Sequence, residues 1–190
     1  MTRTDIINTY IYKYKYKSYL EIGVYKGENF NKIKIKDKTS VDPYWPATYR
    51  MTSNNFFRRN KKKFDIIFID GMHLKKETLD DILHSLACLN DNGVIIVHDC
   101  NPPTEWHQRE RDIQGEWCGT VWKAFVKLRF TKMDISMFTI DTDYGCGVIK
   151  KGSQTLLRNM GFYDNYKVFN ANRKTFLNLI SCKEWRRKYL

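Results

Sequence analysis

The run FDIIFIDGMH, residues 64–73, carries an apolar segment straight into Asp70-Gly71-Met72-His73, and a second run, VIIVHD, ends on Asp99. Carboxylates at neighbouring strand ends repel one another unless something neutralises them, and a shared divalent cation does so. Asp70 and Asp99 are therefore candidate metal ligands. Magnesium is the expected ion because it prefers carboxylate and water oxygens. His73 lies three residues beyond Asp70. Its reference pKa of about 6.5 suits a general base acting on a substrate held beside the metal, so Asp70 and His73 are the candidate catalytic pair. The plain alternative is a turn acid and a histidine that caps a helix.

A different chemistry is suggested by YLEIGVYKGENF, residues 19–30. Glu21, Gly23 and Gly27 sit where a strand turns into a helix, and glycine there lets backbone approach a ligand closely. The spacing is neither GxGxxG nor a P-loop. Asp42, at the end of the next apolar run, is placed to accept the two hydroxyls of a ribose, or else simply starts the turn Asp42-Pro43. Glu21, Gly23, Gly27 and Asp42 are the candidate cofactor-binding residues.

These residues need a scaffold that brings strand ends together. Residues 4–14 read as a short helix, SYLEIG as a strand, GENFNKIK as a helix and TSVDP as a second strand stopped by proline. Residues 53–60 suit a helix capped by Ser53. FDIIFIDG is a strand of near-continuous apolar character. Residues 74–89 show helical spacing at Leu79, Ile82, Leu83, Leu86 and Leu89, with NDNG as the helix stop. VIIVHD is the next strand, 101–117 a loop, GTVWKAFVKLRF a helix and DISMFTIDTDYGCGVIKK a hairpin turning at Asp143-Tyr144-Gly145. The tail, 153–190, reads as helical. Alternating strands and helices predict an α/β, Rossmann-like three-layer sandwich: a mostly parallel sheet closed by an antiparallel hairpin. Ligands in such sheets bind beyond the carboxyl ends of the strands, so Glu21, Asp42, Asp70 and Asp99 are expected along one edge.

At 190 residues the chain is expected to form one domain, 1–190, with a core at about 17–150 and a helical extension at 153–190. Its formal net charge of +12 raises a nucleic-acid partner. The lysines are scattered rather than striped, as an AT-rich codon bias would leave them, so nucleic-acid binding is not expected. Five cysteines without CxxC or zinc spacing suggest reduced thiols. No apolar leader or membrane-length segment is present, which suggests a cytoplasmic protein, in the host cytoplasm if the source is a virus, with no membrane partner.

In order, YLEIGVYKGENF, SVDPYW, MTSNNFF, FDIIFIDGMH, GVIIVHDCNPPTE and DTDYGCGVI resemble class I S-adenosylmethionine-dependent methyltransferases. The nearest likeness is to the compact subfamily related to macrocin-type sugar O-methyltransferases, over residues 17–150. The resemblance implies S-adenosylmethionine over EIGVYKG with its ribose at Asp42. It also implies a metal at Asp70 and Asp99, a base at His73 and a small-molecule or glycan acceptor. Cys100 stands where some metal-dependent relatives carry Asn or Asp, so Asn101 or His98 becomes a substitute third ligand. The loop NPPTEWHQRERDIQGEW is placed to cover the acceptor, with Asn101, Trp106, His107 and Trp117 as candidate contacts. Trp106 and Trp117 either stack on a sugar ring or pack. The short span from Asp42 to Phe64 implies a reduced or absent edge strand. The expected activity is sugar or small-acceptor O-methylation. The alternatives are a silent basic member of the fold that binds nucleic acid, and an RNA methyltransferase.

Overall fold

The apolar runs at the centre of the chain become strands buried on both faces. The computed structural model describes residues 1–158 and 161–189. In chain order the elements are α1 (Arg3–Tyr14), β1 (Ser18–Ile22), α2 (Glu28–Lys32), β2 (Asp37–Val41), α3 (Ser53–Arg59), β3 (Phe64–Ile69) and α4 (Lys75–Ala87). They continue with β4 (Leu89–Val97), α5 (Val121–Phe130), β5 (Ile135–Ile140), β6 (Cys146–Lys151), α6 (Tyr166–Leu177), β7 (Leu179–Ile180) and α7 (Cys182–Tyr189). The strands form one sheet in the order β2-β1-β3-β4-β6-β5-β7. Only β6 runs antiparallel to its neighbours β4 and β5. This is the Rossmann-like sandwich with an antiparallel hairpin that the sequence predicts.

Strand alternation sorts the core into two layers. Leu20, Ile22, Ile67, Ile69, Ile95 and Val97 meet Ile82 of α4, Trp122 and Phe125 of α5 and Phe169 of α6 on one face. Tyr19, Ile66, Phe68, Val94 and Ile96 meet Ile6, Ile7 and Tyr10 of α1 and Trp185 of α7 on the other. Ile6 and Ile7 are fully buried, worth roughly 1.5–3 kcal/mol each. A capping box between Thr2 and Asp5 starts α1, which fixes the next residue, Arg3, against the sheet.

Among the described residues no strand lies between β2 and β3, so the edge strand is absent rather than reduced. Thr48 and Tyr49 take its place: Tyr49 N–H donates to Ser40 O, and Val41 bridges Tyr49. Four local expectations need correction. Thr52 caps α3, and Ser53 is its first helical residue. NDNG does not stop α4; the helix ends at Ala87 with Cys88 as its cap, and Asn90–Gly93 bulge within β4 where its register against β3 shifts. Asn90 is fastened there by a 2.7 Å bond to Asp65. GENFNKIK gives a single helical turn, α2. The tail is not wholly helical: it contains β7, which pairs with β5. Among the described residues no helix is long and apolar enough to cross a membrane.

Candidate active site at the strand ends

From β1 the chain steps outward to β2 and then returns past β1 to β3, so the strand order reverses between β1 and β3. The two strand-end loops are knitted together there. Gly23 N–H donates to Val41 O at 2.9 Å, and Asp70 N–H donates to Ile22 O at 2.8 Å. Gly23 has φ +81°, and a Cβ on it would stand 2.1 Å from the Asp70 carbonyl oxygen, so a side chain is excluded twice over. Beyond this crossing opens a cavity of about 880 Å³. Nine acidic residues line it: Glu21, Glu28, Asp42, Asp70, Glu77, Asp81, Asp99, Asp112 and Glu116. Among the described residues the only lysine or arginine in its wall is Arg3. A chain of net charge +12 thus encloses an acidic cavity.

Asp42 is buried, and its acceptor positions are already filled. One carboxylate oxygen accepts from the N–H groups of Val24 and Tyr25 at 3.0 and 3.1 Å, the other from those of Tyr44 and Trp45 at 2.9 and 3.1 Å. Burial opposes charge on this group, but the four N–H donors outweigh it and hold its pKa below the usual value. Asp42 therefore clamps the β1 loop to the β2 loop. Glu21 lies deeper, accepting from Tyr19 Oη and from Asn29 Nδ2. Burial pushes its carboxyl up to about 8. Gly27 opens α2 in the left-handed conformation but does not line the cavity, and one turn of helix gives no dipole to speak of.

Asp70, His73 and Asp99 converge on the far side. One ligand atom from each lies within 4.8 Å of the others. His73 Nε2 is 3.3 Å from Asp70; its Nδ1 is 3.3 Å from Asp99 and 3.1 Å from Trp117 O. Burial disfavours the imidazolium, but the two carboxylates more than offset it and raise the His73 pKa. The same balance, with His98 and His73 as partners, holds Asp70 far below the carboxylate range. Asp99 has φ +59°, an uncommon backbone for a non-glycine residue.

His98 joins this triad to a second group. Its Nδ1 is 3.1 Å from Asp70, and its Nε2 is 2.6 Å from Arg3 Nη1 and 3.4 Å from Asp143. Burial opposes charge on the ring, yet Asp70 and Asp99 push its pKa well above the ordinary value. Arg3 Nη1 also lies 3.4 Å from Nδ1, so it rests over the ring and not on the Nε2 lone pair. Asp70, Asp99 and Asp143 thus face Arg3 and the two histidines whose pKa values they raise. Asp70, His73 and Asp99 also offer three N and O donors at a spacing that fits a divalent cation. Magnesium on the two carboxylates leaves the imidazole free, whereas coordination by His73 would favour manganese, iron or zinc and take the ring out of proton transfer.

Residues 27–100 match a family model described as a methyltransferase domain. That match spans 74 of the 190 residues. The chain's fold is also that of solved methyltransferases. An SAH-bound methyltransferase from Podospora anserina superposes with a TM-score of 0.59 at 15% identity, covering 80% of this chain and 78% of that one. An O-methyltransferase from Bacillus cereus in complex with SAH gives 0.59 at 13% identity, over 78% of this chain and 80% of that one. The O-methyltransferase TomG from Streptomyces achromogenes, in complex with SAM, gives 0.59 at 10% identity over 80% of each chain. No curated protein matches by sequence.

The loop after β4 contributes Asp112, Glu116, Trp117 and Cys118 to the cavity wall. Trp117 stacks on His73 with ring centroids 4.8 Å apart. The other loop candidates lie elsewhere. Trp106 is exposed beneath the Arg109 guanidinium, and His107 bonds Thr104 and stacks on Tyr144. Asn101 lines a smaller neighbouring cleft, where it bonds Asp141 and Arg173. Sequence reasoning missed Arg3, Asp81 and Asp143. Asp81, whose carboxyl burial raises to about 6, sits one residue before the apolar Ile82. An acid beside the buried stripe of an amphipathic helix was its available signal. Arg3 carried none, because its partner Asp143 is 140 residues away.

Proposed function

We propose that this chain transfers a methyl group from S-adenosylmethionine to a hydroxyl of a small acceptor, a sugar or glycan first among them, assisted by a divalent cation at Asp70 and Asp99. The observation that carries the reading is the acidic cavity inside a basic chain. A sulfonium with an ammonium and a carboxylate is a net cation, which such a wall favours; a polyanion such as RNA is repelled from it. The O-methyltransferases of the same fold, from Bacillus cereus with SAH and from Streptomyces achromogenes with SAM, support the donor and the oxygen acceptor.

S-adenosylmethionine supplies a methyl group on a positive sulfur that leaves as a neutral thioether, and the cation lowers the pKa of an acceptor hydroxyl. The chain positions and deprotonates. Gly23 lets backbone form the floor, Asp42 locks the two loops that shape it, and Trp117 offers a flat face beside His73. Once the charge on Asp70 and Asp99 is otherwise met, His73 no longer needs its extra proton. Nδ1–H then donates to Trp117 O, and Nε2 is free to take the hydroxyl proton. The new C–O bond forms as the S–C bond breaks, and sulfur keeps the electron pair.

Mass spectrometry with labelled donor and a panel of sugars tests the reading. Turnover should vanish with chelator and in Asp70→Ala, while His73→Ala should lose about 10²–10⁴-fold. Full activity of either variant on the true acceptor, or indifference to chelator, refutes the metal-and-base mechanism.

A further inference from the structure

Among the described residues Arg3 is the one guanidinium in the cavity wall, and most of its bonding capacity is free. The group offers five N–H donors. Here Nη1 alone is engaged, by His98 and Asp143, and a third of the side chain (33%) stays exposed. Its position is not left to chance. The Arg3 backbone N–H donates to Asp143 Oδ2 at 2.8 Å, and the capping box of α1 begins at the preceding residue. The next residue, Thr4, donates to Asn29 Oδ1 at 2.7 Å, and Asn29 in turn donates to Glu21 at 3.0 Å. A guanidinium with open donors and a buried carboxyl therefore border the same end of the cavity, linked through Thr4 and Asn29.

An α-amino acid presents a carboxylate and an ammonium on one carbon, and these two groups are its complements. A carboxylate placed elsewhere in the cavity would face acids on every side. We propose that Arg3 holds the α-carboxylate at the amino-acid end of the methyl donor. This rests on the donor assigned above. Planar guanidinium-to-carboxylate bonding is strong and directional, so Arg3 makes the site selective for donors that keep the carboxylate.

Calorimetry on the full chain with S-adenosylhomocysteine and with its decarboxylated analogue decides the matter. The wild-type chain should prefer the carboxylated ligand by about 10- to 100-fold, the worth of a charge-assisted bond. Arg3→Gln should abolish that preference by weakening S-adenosylhomocysteine and leaving the analogue within about twofold. Arg3→Lys should restore part of it. A purely structural role for Arg3 would weaken both ligands alike and keep the ratio, which overturns the proposal. Equal wild-type affinities overturn it too, with no variant needed, while leaving the donor assignment standing. Wild-type binding of neither ligand refutes the donor assignment itself. If Arg3→Gln binds S-adenosylhomocysteine normally but raises KM for an acidic acceptor, the anchored carboxylate belongs to the acceptor and the proposal falls.

Discussion

Asp42→Ala should be a stability variant before it is a binding variant. The substitution strands four N–H donors, those of Val24, Tyr25, Tyr44 and Trp45, at 2.9–3.1 Å from the lost oxygens. Bonds to a charged acceptor are each worth about 1.5–3 kcal/mol. Water from the adjacent cavity replaces part of that, so the net loss should be about 2–5 kcal/mol. At a urea slope of about 2 kcal/mol/M the midpoint should fall by about 1–2.5 M. Asp42→Asn should do little better, because its amide NH₂ would point at two of the same donors. The sign of the pH effect follows from the depressed pKa. Asp42 stabilises the fold above the unfolded-chain value of about 3.9, and that contribution is lost as pH falls through the lower folded value. The gap between wild type and variant should therefore shrink in strong acid. Urea unfolding beside calorimetry with S-adenosylhomocysteine gives the answer. An unchanged midpoint with lost binding would refute the clamp and restore a direct ribose contact.

Glu21 and the loop glycines give independent checks. Because Glu21 keeps its proton to about pH 8 when folded and only to about 4.3 when unfolded, the native state holds the extra proton between those values. Its contribution to stability therefore falls as pH rises from 5 to 8. Urea midpoints should decline over that range in wild type and less so in Glu21→Gln, and parallel curves would sink the assignment. Gly119 has φ +60°, and an added Cβ would lie 1.9 Å from the His73 carbonyl oxygen; Gly115 has φ +73° with nothing within 4 Å. Gly119→Ala should cost about 2–4 kcal/mol and most of the turnover, against about 1 kcal/mol for Gly115→Ala. Similar losses in a denaturation series would show that the contact with His73 does not matter.

The parallel strands and their acidic ends were legible because a strand buried on both faces must be apolar throughout, and a carboxylate then marks where burial stops. FDIIFIDG and VIIVHD are such cases, and Asp70, His73 and Asp99 do come together. The hairpin at Asp143-Tyr144-Gly145 was legible from turn chemistry, and all three residues have positive φ. Other features depend on contacts that no local pattern encodes. NDNG carries residues that suit a helix stop, yet β-sheet pairing claims it for a bulge. Asp42 lines the cavity where a ribose ligand would be sought, and its four backbone donors come from two loops that no local pattern joins. The stretch Leu179–Ile180 shows helical apolar spacing until β5 recruits it as a strand. Arg3 reaches the site through tertiary packing of α1 alone.

The missing edge strand has a consequence for how the molecule keeps to itself. A bare sheet border is a template on which another chain can add a strand and begin to aggregate. Here one border, β2, is short and partly shielded by Thr48 and Tyr49, with the exposed Lys36 just before it. The other border is β7, two residues long. At that end β7 pairs only with Thr139 and Ile140 of β5. Some of the positive charge that reads as genomic bias thus also serves as a colloidal defence for a sheet that stops one strand early.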